Sequence, residues 1–177
     1  GDDWERAAFL EYFPRDASPG FRIGAGIRIQ GGWNRRPEES PKHSFRLSFR
    51  KRHGAAHLPA DLFGGGVTNF EHLILRGGNN NSWLHWSGVE RRQAEYLRDA
   101  WMRESYAALD QVSARGTFVH LTLNGLYWGI YNLTERPSGP FVAAHLGGRP
   151  RDYDVRNSDN LLAGDGHAWS NLFQLVN

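Results

Sequence analysis

Leu123-Asn124-Gly125-Leu126-Tyr127-Trp128-Gly129-Ile130-Tyr131-Asn132-Leu133 is the stretch on which the fold turns. Asn-Gly between two apolar runs is the strongest short-range signal for a β-hairpin, because a tight two-residue turn needs positive φ at both central positions. Thr117–Leu123 is rich in β-branched and aromatic residues, as is Leu126–Leu133, so two antiparallel strands are expected over these spans. Glu135-Arg136-Pro137 ends the second, since proline has no backbone N–H to give to a ladder.

Working outward toward the N-terminus, Gly116 closes a connection that follows a segment with helical spacing. Ala94, Leu97, Trp101, Ser105 and Ala108 or Leu109 recur at steps of three and four, which predicts one long helix over 88–109 with these residues on its packed face. Trp101 and Trp128 are read as packing residues. Glu71–Arg76 reads as a short strand, followed by the loop Gly77–Ser82. Ser44–Arg50 alternates, so Phe45, Leu47 and Phe49 face a core while Arg46, Ser48 and Arg50 face outward. Gly26–Gln30 alternates likewise, Gly31–Ser40 is a polar loop, and the run 8–13 suits a strand or a short helix. Downstream of the hairpin, a short helix over Phe141–Leu146 ends at Gly147-Gly148. A loop follows Arg149, and a further helix runs from about Ala168 to Asn177. No repeat or linker interrupts the sequence, so residues 1–177 are read as one partial domain, with the unfinished last helix taken as a sign of truncation.

Composition excludes several classes. There are no cysteines, which removes disulfides, thiolate metal sites and cysteine nucleophiles. The eight histidines form no H-x-x-x-H or H-E-x-x-H pair, so a zinc enzyme lacks support, and hydrolase chemistry lacks its G-x-S-x-G. No apolar run is long enough to span a membrane. The net charge is only +2 and no recognition motif is present, which argues against a nucleic-acid partner. Basic residues are nevertheless concentrated locally: Arg22, Arg28, Arg35, Arg36, Lys42, Arg46, Arg50, Lys51 and Arg52 face only Glu38 and Glu39 as acids in that stretch. Such an excess suits a phosphate-bearing ligand, or equally a solvated face.

The order of elements is strand, glycine-containing loop, strand with a nearby lysine, long helix and two antiparallel strands ending in a polar hinge. That is the order of a kinase small lobe, where a glycine-rich loop, a lysine and a helix acid handle the phosphates. No kinase motif is present literally: Gly31-Gly32 is not G-x-G-x-x-G, and V-A-I-K, H-R-D and D-F-G are missing.

Four segments carry a more specific signal: Gly26–Gly32 (GIRIQGG), Pro41–Phe49 (PKHSFRLSF), Tyr96–Asp99 (YLRD) and Leu123–Arg136 (LNGLYWGIYNLTER). Leu75–Gly78 with Ser82-Trp83, and Gly164–Gly166 with Trp169, support them. Together they resemble the spore-coat protein H (CotH) kinase-like family over nearly the whole chain and in the right order. The resemblance implies an α+β, atypical protein-kinase-like small lobe, an antiparallel sheet with one long helix, and the start of a second lobe. It also implies a secreted or cell-surface protein that binds ATP with a divalent metal (Mg or Mn) and phosphorylates a protein substrate. A catalytically inactive surface binding module that keeps the fold is the alternative.

On this resemblance, Lys42 matches the first lysine of the family's Pro-Lys-Lys-Ser segment, with His43 departing at the second, and would be a point charge on nucleotide phosphates. Arg98 matches the arginine of the helix motif and would bind phosphate or brace the lysine. Glu90, Glu95, Asp99 and Glu104 compete as the acid paired with Lys42. Glu135 would contact the adenine or the ribose, and serves equally well as a turn acid. Arg28, Gly31, Gly32, Arg35 and Arg36 form a candidate phosphate loop, with a flexible exposed loop as the alternative. The family's catalytic base and metal-binding acid lie in a C-terminal lobe, and Asp154, Asp159 and Asp165 are poor replacements. No catalytic or metal-ligating residue is therefore assigned here, and the chain alone is expected to be inactive, with the companion lobe as its partner.

Overall fold

The computed structural model describes residues 4–176. The chain divides into two compact units, Gly1–Glu135 and Arg136–Asn177.

The first unit is built on a six-stranded antiparallel sheet of β1 (Arg6–Tyr12), β2 (Phe21–Gln30), β3 (Ser44–Ser48), β6 (His72–Arg76), β7 (Gly116–Leu123) and β8 (Leu126–Glu135). A two-stranded ribbon of β4 (Leu58–Pro59) and β5 (Asn69–Phe70) is inserted between β3 and β6. The order across the sheet is β1-β2-β3-β6-β8-β7. The hairpin forms as its sequence dictates: Asn124 and Gly125 take φ of 49° and 82°, and Leu123 pairs with Leu126. A register shift after Leu121 sets Trp128 into a bulge, where it packs edge-on against Phe45 and stays 40% exposed.

One face of the sheet carries the apolar core. Phe45, Leu47, Leu73, Leu75, Tyr131 and Leu133 are buried on it, with Phe49, Leu58 and Phe70 completing the cluster. The segment between β4 and β5 adds Leu62, Phe63 and Val67 to this core. Phe45, Leu47 and Phe49 are buried as their alternation requires.

Arg46 and Ser48 differ from expectation, being 9% and 0% exposed. The opposite face of the sheet is covered rather than solvated. Arg46 lies in a row with Arg28, Ile74 and Thr134, and helix α2 (Arg98–Ala107) lies against this face. Arg103 of α2 donates to the side chain of Asn132 and, at 2.8 Å, to the carbonyl of Ala114.

The long helix expected over 88–109 is two pieces, α1 (Gly88–Arg92) and α2, interrupted at 93–97. The interruption turns Tyr96 inward, where its hydroxyl meets backbone carbonyls of β6 and β8. Trp101 is not a core residue. It is 65% exposed, because α2 meets the sheet through Ala100 and Arg103, and the next residue points about 100° away around the helix.

Ahead of β1, the Glu5 carboxylate is bonded to Arg52 and, at 3.0 Å, to His53 Nε2, with only 7% of its side chain exposed. Burial alone would raise its pKa. The hydrogen bonds from Arg52 and His53 and the nearby charge of Arg50 outweigh that and lower it from 4.5 to about 2. The stabilisation is complete above pH 4.5 and is lost as pH falls from there through about 2. Glu5→Gln should therefore flatten the stability profile across that window, read as urea midpoints at stepwise lower pH; an unchanged slope would show that Glu5 does not tie β1 down.

The second unit holds α3 (Gly139–Leu146), a hairpin of β9 (Val155–Asn157) and β10 (Asn160–Ala163), and α4 (His167–Val176). The loop expected after Arg149 is thus partly this hairpin. The Asp154 carboxylate accepts the amides of Gly166 and Asp165 at 2.9 and 3.0 Å, fixing the entry to α4.

Candidate functional site

The covered polar face of the sheet opens into a cleft of about 590 Å³. Its floor is Ser44, Ile74, Arg76 and Asn132; one wall is the Gly31–Asn34 loop, another the Asn79–Asn81 turn, and the third is Tyr96, Asp99 and Ala100. Each part follows from local sequence. Arg76 is the last residue of β6, and Gly77-Gly78 then carries the chain away: the Gly77 amide donates to Ser44 Oγ at 2.8 Å, and Gly78 sits at φ 80°. A Cβ at Gly78 would lie 2.1 Å from the Tyr96 ring, so this position has room only for glycine.

The principal ion pair of the cleft joins strand to helix. Arg76 lies 3.2 Å from Asp99 Oδ1, while Asp99 Oδ2 accepts from Arg103 Nε at 3.0 Å. Asp99 stands in the first turn of α2, where a carboxylate is also favoured by the helix dipole. Burial lowers the pKa of Arg103, and the adjacent Asp99 works against that shift. Neither Arg76 nor its pairing with Asp99 was singled out by sequence reasoning. The signal was available in the strand-ending arginine, the paired glycines and the acid opening a helix.

The residues expected at the site are not gathered in one place. Gly31 lines the cleft. Gly32 faces open space, and its carbonyl accepts from Arg35 Nε at 3.3 Å within a short 3-10 turn over Trp33–Arg35. Arg36 stacks on Trp33. Arg28 is half-buried in β2, directly opposite Arg46.

Lys42 is not among the residues lining the cleft. Its ammonium donates to the Ile130 carbonyl, lies 3.5 Å from the Tyr96 hydroxyl, and sits 4.5 and 5.1 Å from the ring centres of Tyr131 and Tyr96. No carboxylate pairs with it among the described residues. Glu95 pairs instead with Arg98, at 3.3 Å, and Asp99 with Arg76 and Arg103.

Arg98 faces a separate groove of about 700 Å³ lined by Trp83, Leu97, Trp101 and Met102. Glu135 is 3% exposed; its carboxylate accepts the Arg115 amide at 2.8 Å, tying the end of β8 to the entry of β7. Ile130, bonded to Lys42, and Glu135 are five residues apart on one strand, about 17 Å.

The donor set of the cleft suits an anion: a guanidinium, asparagine amides and a serine hydroxyl converge on a space large enough for a nucleotide's phosphates. It does not suit a protein-held divalent metal. Among the described residues no group of three or more His, Asp and Glu side chains could hold an ion, and the one carboxylate in the cleft, Asp99, is taken by two arginines. No helix of the described residues is long and apolar enough to cross a membrane.

No curated protein and no solved structure matches the chain. Residues 27–172 match the model of a family described as CotH kinase protein, a span that includes every element around the cleft. A match over most of the sequence, with the strand-to-helix ion pair and the polar cleft inside it, shows that the chain belongs to the CotH kinase family.

Proposed function

We propose that the chain supplies the nucleotide-binding portion of an atypical, secreted or surface-displayed protein kinase, and that the 590 Å³ cleft receives the phosphates of ATP. One observation carries this reading: the Arg76–Asp99 pair, which links the strand on the floor of a polar cleft to the first turn of the helix on its wall. Phosphoryl transfer is catalysed mainly by positioning and charge stabilisation, and in kinases a strand cation held by a helix acid presents the phosphates. Arg76 has the forked geometry for phosphate, and Asp99 holds it in place while leaving other guanidinium donors available. Asn79–Asn81 on a neighbouring wall and Ser44 on the floor add neutral donors. The divalent metal would be carried in by the nucleotide itself, and the catalytic base and metal-binding acids would come from a second lobe, as the family resemblance implies.

Titrating the protein with ATP, with and without Mg²⁺ or Mn²⁺, tests this by calorimetry and by thermal shift. Saturable binding that ADP competes away, with a melting temperature that rises as ligand exceeds its dissociation constant, is the expected result. No heat and no shift up to millimolar nucleotide would overturn it in favour of an inactive binding module.

A further inference from the structure

Lys42, the residue that sequence reasoning offered to the phosphates, is occupied elsewhere. Its ammonium donates to the Ile130 carbonyl of β8 and approaches the Tyr96 hydroxyl at 3.5 Å. That hydroxyl lies 3.1 Å from the Arg76 carbonyl and 2.9 Å from the Ile130 carbonyl. It has one proton and two acceptors to serve. With Lys42 donating to the Ile130 carbonyl, the Tyr96 proton is released to the Arg76 carbonyl, and both carbonyls have a donor. The faces of Tyr96 and Tyr131 flank the charge, a favourable cation–π setting when partly desolvated.

We propose that Lys42 is a positioning residue, whose ammonium closes a hydrogen-bond circuit through Tyr96, Ile130 and Arg76 that fixes the end of β6 against the entry to α2. Tyr96 is three residues before Asp99, and Arg76 is itself a member of the circuit. The same contacts therefore set both halves of the ion pair that lines the cleft.

The groups that face the ammonium are Tyr96, Tyr131 and, through its charge on Tyr96, Arg76; among the described residues no carboxylate joins them. Burial raises both tyrosines to about 12 and lowers Lys42 from 10.5. As pH rises, the lysine is therefore the first of the three to change charge, and the circuit loses its cation before either phenol ionises. A group whose folded pKa is lowered stabilises the fold least while it is charged, so this circuit is a device of position rather than of net stability.

Three measurements on the full chain decide the matter. The variants are Lys42→Met, which removes the donor, and Tyr96→Phe, which removes only the hydroxyl and retains the ring. Hydrogen exchange should quicken in both over 76–82 and 94–99 while β1 and β2 stay as in the wild type. The Tyr96 ring resonances in wild-type NMR spectra should follow the Lys42 titration, seen at its ε-carbon, below the normal lysine range. ATP affinity, an arm that rests on the proposed function, should fall three- to tenfold in either variant, and no further in the double variant. Unchanged exchange in both variants, with affinity lost only in Lys42→Met, would make Lys42 a phosphate ligand and overturn the proposal. If the wild type binds no ATP, the functional reading fails alone, and exchange and NMR still decide the circuit.

Discussion

Arg76→Ala should weaken ATP binding ten- to a hundredfold while barely moving the melting temperature. Hydrogen bonds to a charged group contribute about 1.5–3 kcal/mol, and each 1.4 kcal/mol is about a factor of ten in affinity. Stability changes little because Arg76 and Asp99 are both partly exposed, and such a pair adds at most about 1 kcal/mol. Asp99 also keeps Arg103, at 3.0 Å, so no carboxylate is stranded. Arg76→Lys keeps the charge but not the fork, and should fall between wild type and alanine. Calorimetric titration of the three proteins is the check, and wild-type affinity in Arg76→Ala would remove the cleft from consideration.

Leu73→Ala should produce the largest loss of stability, about 2–5 kcal/mol. Leu73 is fully buried at the centre of the sheet, between Leu47 of β3 and Glu135 of β8, so the cavity left behind has strands on both sides that cannot close over it. Against a typical total of about 5–15 kcal/mol this is a large fraction. Urea denaturation measures it as a lower midpoint at unchanged slope. Leu73 points to the core and not into the cleft, so at temperatures where the variant stays folded its nucleotide affinity should match wild type. Arg76→Ala and Leu73→Ala thus separate affinity from stability on a single strand.

The sheet was largely legible in the sequence because its signals are local. Asn124-Gly125 fixes the hairpin register, and the alternation Phe45, Leu47, Phe49 marks one buried side without reference to anything distant. What failed depended on partners far along the chain. Arg46 and Ser48 alternate with the core residues, and only the presence of α2 and the Glu5–His53 cluster makes the second face a covered one. The three- and four-residue spacing through 88–109 pointed to one helix packed through Leu97, Trp101 and Leu109, but these three are exposed, and the spacing does not register Tyr96 leaving the helix for carbonyls at 76 and 130. Lys42 matched its motif while its ammonium turned to Ile130. The Arg76–Asp99 pair escaped because neither residue has local periodicity to mark it; each becomes meaningful only when β6 and α2 meet.

The sheet order also has a consequence for how the chain assembles. β1–β2 and β7–β8 are neighbours in sequence and can zip as hairpins within microseconds. β6 is the seam between them: it takes β3 on one side and, with Leu75 opposite Leu133, β8 on the other. During synthesis the early strands therefore wait with one flank of β6 open until Glu135 has left the ribosome, and closure of that long loop, not the hairpins, paces folding.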